Sequence, residues 1–267
     1  MPTAAEKVRR AQASLAYRAR LEVVTVWPKI AALPPERIAV VMAELLQEVA
    51  QRYGSGAASI AADFYDELRS AAGATGSFAA DPSELPPLER YEALSRWGVG
   101  PMFGSSPNAA LALSLMTGGL ERIVLNTGRD TISDAVALDP SGPRYARHAS
   151  ANACAFCAMV ASRGPVYRSE VSAGGVTGRG TALSTNVGRT SGRMAKGIRE
   201  RGSRSIGTKY HDSCHCTTVP VWPGQDYQEA PYVAKWRDAY LNAPGKPGEA
   251  IDLQKTLASM RAELGTS

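Results

Sequence analysis

The chain has 267 residues, 44 % of them apolar and 21 % charged, which is enough ordinary globular material for one large domain or two modest ones. No uncharged apolar run reaches the roughly 18 residues of a bilayer-spanning helix, which argues against a membrane protein. The net charge of +5 is unevenly placed: eight basic residues against Glu200 give +7 between Gly174 and Tyr210, so the remainder sums to −2.

Alanine is abundant and only 7 % of residues are aromatic, a balance that favours helices over sheets. Thr3 with Glu6 fits a capping box and opens a helix expected to run from about residue 4 to Val26, where Trp27-Pro28 should stop it. Pro34-Pro35 begins a second helix. Its apolar positions Ile38, Val41, Met42, Leu45, Leu46 and Val49 keep helical spacing and mark a buried face. Gly54-Ser55-Gly56 should break it, and a third helix with Ile60, Phe64, Tyr65 and Leu68 follows. Residues 71–87 read as a loop, Leu88 to Trp97 and Pro107 to Asn126 as helices, with Gly128 as a C-cap signal. Arg129 to Leu138 makes one more short helix, and the turn-forming run Asp139 to Pro143 is the expected domain boundary.

Past that boundary the character changes. Arg144 to His148 alternates as a strand does, Ala153 to Ser162 is a short helix, and Val166-Tyr167 and Thr217 to Trp222 are strand-like. Asp226 to Tyr240 holds a helix, 244–248 a hinge, and Ile251 to Leu264 an amphipathic tail helix. The fold class expected is α+β. Residues 1–140 form a helical domain, 141–225 a small α+β module, and 226–267 a C-terminal helical tail.

All four cysteines and all three histidines fall between His148 and Trp222. Cys154 and Cys157 form a C-x-x-C, and His211, Cys214, His215 and Cys216 form an H-x-x-C-H-C knot. Two sets of soft ligands separated by a long span point to a single site that closes when the two ends meet. Four thiolate or imidazole ligands are what a structural zinc ion takes. Cys154, Cys157 and Cys214 are the leading ligands, with His211 and Cys216 competing for the fourth place. In an extended segment His215 would point the other way, and His148 reads as a strand or loop histidine. A disulfide, a reduced thiol cluster, or unrelated buried thiols are the competing readings. The N-terminus has no signal-peptide apolar core, so synthesis in a reducing cytoplasm is expected, where metal binding is favoured over a disulfide.

The span 174–205 is rich in Gly, Ser, Thr and Arg and poor in large apolar residues, so it has little to bury against its ordering entropy. It reads either as a solvated loop or as a contact to DNA backbone through Arg179, Arg189, Arg193, Lys196, Arg199, Arg201, Arg204 and Lys209. Such contacts carry affinity but no base specificity.

Three stretches together, ASIAADFYDELR, NACAFCAMVASRGPVY and KYHDSCHCTTVPVW, resemble the phage minor head proteins of the Mu protein F type. The likeness is to the actinobacteriophage branch, whose members are sometimes labelled capsid maturation protease, and it covers roughly residues 35 to 225. Its sharpest part maps onto Cys154, Cys157, His211, Cys214 and Cys216. The resemblance implies a virion protein inside the head near the portal, partnered by portal and other head proteins and assisting assembly, genome packaging or ejection.

Two other functions compete. A Ser/His protease needs a nucleophile, a base and an oxyanion hole. Only His148, with Ser150 beside it, lies outside the cysteine knot, and neither G-x-S-x-G nor H-E-x-x-H occurs. The third reading is a zinc-stapled, non-specific DNA-binding protein that presents the basic segment to double-stranded DNA.

Overall fold

The computed structural model describes residues 3–167, 215–244 and 253–266, together with 194–195 and 198–199. Four long helices make the N-terminal half: α1 (Ala4–Ile30), α2 (Pro35–Ala71), α3 (Leu88–Gly98) and α4 (Ala109–Leu138). A 3-10 turn, Gly100–Met102, links the last two. Then come β1 (Arg144–His148), α5 (Ala155–Ala161), the two-residue strands β2 (Met194–Ala195) and β3 (Ile198–Arg199), β4 (Thr217–Val221), α6 (Val233–Asn242) and α7 (Leu253–Leu264). The helical half followed by a small sheet agrees with an α+β fold.

Three expected breaks are absent, each for a packing reason. Pro28 lies within the last turn of α1, where the buried side chains of Trp27 and Ile30 hold the helix on course past it. Gly54 does not end α2. A Cβ there would come 2.7 Å from Leu85 Cδ2, so glycine admits the 82–86 loop against the helix. Gly128 sits in mid-α4, where a Cβ would press on Gln12 and come 2.9 Å from the Ala57 carbonyl oxygen. These glycines mark close approach between elements, not helix ends.

Helix starts follow local chemistry. Thr3 Oγ1 accepts from the Glu6 N–H (3.2 Å) and Asn108 Oδ1 from the Leu111 N–H (2.9 Å), while Pro35 occupies the first turn of α2.

β1 and β4 pair antiparallel, from Arg144↔Val221 to His148↔Thr217. Tyr145 turns its backbone away from β4 and exchanges hydrogen bonds with Tyr167 on the other edge (2.8 and 3.3 Å). Its cross-strand partner is therefore Pro220, a position where β4 needs no N–H.

Two apolar clusters fill the interior. One lies among α1, the first half of α2, α3 and the first half of α4, with Ala16, Trp27, Met42, Leu46, Tyr91 and Met116 at its centre. The other joins the far ends of α2 and α4 to β1, α5, β4 and α6, with Tyr65, Ile132, Tyr145, Met159, Trp222 and Trp236. Met260 of α7 packs into this second cluster.

Candidate functional site

Pairing His148 with Thr217 closes the long span between them into a loop, so Cys216 enters β4 beside the point where the chain leaves β1. Cys154 is the N-cap of α5, in extended backbone at φ −65° and ψ 163°, and Cys157 lies one turn further on. Positions i and i+3 share a helix face. Cys157 and Cys216 are buried within the second apolar cluster, and the half-buried Cys154 packs against it.

Cys154, Cys157 and Cys216 thus border one apolar cluster, and no disulfide joins them to one another. Among the described residues no three Cys, His, Asp or Glu side chains form a group that could hold a metal. His211 and Cys214 lie outside the described residues, so a four-ligand site would need donors from that stretch. His215 is exposed. Of the expected DNA-contacting residues, Arg199 belongs to β3, while Arg179, Arg189, Arg193, Lys196, Arg201, Arg204 and Lys209 lie outside the described residues.

Around the cysteines is a set of buried polar bridges that sequence reading missed. His148 Nε2 lies 3.2 Å from Glu6 Oε2, joining the first turn of α1 to the end of β1. Arg9 grips the same carboxylate with two bonds of 2.8 Å, and Arg10 Nε adds one of 2.6 Å. The Arg9 hydrogen bond, helped by Arg10 and His148 and opposed by burial, holds the Glu6 carboxyl well below the usual carboxylate range. Burial pushes the His148 imidazole down, and its bond to Glu6 only partly offsets this. Burial thus disfavours the protonated imidazole.

One turn further along α1, the buried Gln12 accepts from Thr217 Oγ1 (3.0 Å) and donates to the Ala57 carbonyl (3.4 Å). Arg129 of α4, 1 % exposed, donates from Nε to the Cys216 carbonyl (2.9 Å) and from its guanidinium to Asn126 Oδ1 (2.9 Å). The backbone of a candidate ligand is thus fixed by the helical half.

A fourth bridge centres on Asp139. Its Oδ2 accepts from Arg69 Nε and the Tyr65 hydroxyl, both at 2.9 Å, and its Oδ1 from the Ser141 N–H (2.9 Å) and hydroxyl (2.6 Å). Ser141 Oγ in turn accepts from Trp222 Nε1 at 2.9 Å. Burial raises the Asp139 pKa, but the bonds from Ser141, Arg69 and Tyr65 outweigh it and bring the carboxyl down to about 2. No periodicity reveals such contacts. The one signal available was the placing of Gln12 and Arg129 on otherwise apolar helix faces.

Sequence comparison covers nearly the whole of this arrangement. The model of the VG15 protein family matches residues 1–243. The chain belongs to that family. Among curated relatives, the Gene 15 protein of Mycobacterium phage D29 is 32 % identical over 246 residues, spanning 82 % of this chain and 83 % of that protein. The Gene 15 protein of Mycobacterium phage L5 is 31 % identical over 211 residues, 68 % of this chain and 66 % of that one. No solved structure gives a significant match. The VG15 match takes in α1 to α6, both cysteine-bearing ends and all four polar bridges, and leaves α7 outside. Among the described residues no helix is long and apolar enough to cross a membrane.

Proposed function

We propose that this VG15 protein is a structural component of the phage head, acting inside the particle near the portal in assembly, genome packaging or ejection. Its phage relatives and the Mu protein F-type motif pairing support the setting. The observation that carries a structural over a proteolytic role is His148. A protease would need this imidazole as its base, yet it is 6 % exposed and faces Glu6. A general base must reach the proton it abstracts, and His148 is spent on holding α1 to β1.

In the same reading, Cys154, Cys157 and Cys214, with His211 or Cys216, hold a structural zinc ion. The donor chemistry suits zinc, and the convergence of both sulfur-bearing ends on one core supports it. The ion would supply a cross-link between α5 and the approach to β4. The basic segment 174–209 would lie against packaged DNA.

The head role is tested on purified particles: the chain should be found in mature virions and should co-purify with the portal protein. Its absence from particles would remove the proposal. Elemental analysis of the purified chain should find stoichiometric zinc, with chelator, Cys154→Ser and Cys214→Ser all lowering Tm far more than Ser213→Ala. A metal-free chain with equally small effects in all three variants would eliminate the zinc. DNA affinity should fall steeply with salt and be lost on deleting 174–205; a salt-independent affinity would count against backbone contact.

A further inference from the structure

Helices α1 and α2 carry opposite charge. α1 has six basic residues and two acidic ones, whereas α2 has three basic and six acidic. Both α1 carboxylates are already paired: Glu6 binds Arg9, Arg10 and His148, and Glu22 binds Arg52 of α2. Lys7, Arg18 and Lys29 make no ion pair among the described residues, and on α2 the same holds for Glu36 and Glu44.

The outer face of α1 also carries an apolar seam. Arg10, Ser14, Tyr17, Leu21, Val24 and Pro28 are all exposed, and their 4-3-4-3-4 spacing is that of a helix-pairing stripe. Tyr17, Leu21 and Val24 at its centre are 58, 43 and 36 % exposed. Arg18 and Arg20 flank them, at the positions where paired helices set partner choice by charge. A lone exposed leucine needs no explanation; a seam of three with basic flanks does.

A matching surface lies on the outside of α2. Glu36, Val40, Glu44 and Gln51 are exposed along one stripe, with Val40 53 % exposed, and Gln47 lies half-buried within it. The stripe runs into an open hollow of about 430 Å³ lined by Gln47, Gln51, Ser55, Leu85 and Tyr91. One surface is basic with protruding apolar side chains, and the other is acidic and ends in a concavity.

We propose that the outer face of α1 docks on the outer face of α2 of a second copy of this chain, head to tail. This does not depend on the head role. A contact between two different patches on each copy builds open chains or rings, not a closed two-fold pair. α1 is about 40 Å long and about 10 Å wide, so its footprint is about 400 Å² per partner. That is half the roughly 800 Å² per partner of a stable complex, so the association is weak and depends on concentration. Its charge component makes it weaken with salt.

The experiment is sedimentation velocity on the full chain over a concentration series at low and high salt. Mass should grow with concentration at low salt and shrink at high salt. R18E alone and E44R alone should each raise the dissociation constant about tenfold or more. Each single variant keeps one good surface and the two reversed charges suit one another, so an equimolar mixture of the two and the double variant R18E/E44R should both regain assembly. Both positions are exposed, and matching circular dichroism spectra would establish that the variants fold. A monomer at every concentration would overturn the proposal. Assembly that ignores both reversals would do the same. An R18E effect with E44R silent would mean that α1 pairs with some other surface, and it too would overturn the assignment.

Discussion

The two apolar clusters are held together differently. The first, among the helices, is almost wholly apolar and very tight, built from Ala, Met, Leu and glycines at close approach. The second, where helices meet the cysteine module, is crossed by long-range polar bridges: Glu6–His148, Gln12–Thr217, Arg129 to the Cys216 carbonyl, and Asp139 with Arg69, Tyr65 and Ser141. Apolar packing tolerates a range of orientations, whereas a hydrogen bond between residues far apart in sequence selects one. The first region is held by packing alone; the second also fixes where β1, β4 and α5 sit on the helices.

The sharpest way to break that contrast is at Asp139. Replacing it with Ala takes the carboxylate from Arg69, 8 % exposed and left with only the Ala74, Thr75 and Gly76 carbonyls, and from the Tyr65 hydroxyl. Leaving one member of a buried ion pair costs about 3–5 kcal/mol. Glu92→Ala removes only the exposed pair with Arg96 and should cost under about 0.5 kcal/mol. Urea unfolding of both variants measures the difference, and equal losses would mean that Asp139 is not a hub. On acidification the Asp139 contribution is intact above the ordinary carboxyl pKa of 3.8 and disappears as pH falls toward about 2.

Next in size is the tight approach of helices in the first region and at its border. Gly128→Ala drives a methyl against Gln12 and the Ala57 backbone, and backbone cannot rotate away. The expected loss is about 1–3 kcal/mol. Gly73→Ala has open space around it, but its φ of +65° strains any side chain, so its smaller cost, about 1 kcal/mol, has a backbone origin. Thermal unfolding of the two variants ranks packing against backbone conformation. Gln12→Ala should fall in the same range as Gly128→Ala, because it leaves the wholly buried Thr217 hydroxyl without its acceptor, at about 1–3 kcal/mol.

The same contrast explains what the sequence disclosed. The stripe Ile38, Met42, Leu46 and Val49 is fully buried, and Phe64 and Tyr65 are in the core, because helical period alone decides such faces. The strands at Arg144 to His148 and Thr217 to Val221 were legible from β-branched and alternating residues. Gly54, Gly128 and Pro28 misled because a residue that weakens an isolated helix is tolerated where a neighbour packs against it. That Cys154, Cys157 and Cys216 border one core could be argued from rarity and spacing, whereas a shared metal site is a proposal. The long-range partners of Glu6, Gln12 and Arg129 could not, since His148, Thr217 and Cys216 lie 142, 205 and 87 residues away in sequence.

The smallest expected effect is the most specific to the junction. His148 is surrounded by Glu6 and Arg9 from α1, with Arg10 on the far side of the Glu6 carboxylate and the Tyr232 phenol near the same charges. Its folded pKa lies below 6.5, so between the two values the unfolded chain binds a proton that the folded chain resists. Stability from this residue is therefore complete above about pH 6.5 and declines as pH drops through that value toward the folded pKa. His148→Gln keeps a polar partner for Glu6 but cannot titrate. The urea midpoint of the parent chain should fall between about pH 7.5 and about pH 5.5, and that of the variant should fall less. The later loss near the Asp139 carboxyl range should be the same in both. If parent and variant decline in parallel across the histidine range, the α1–β1 junction does not sense pH.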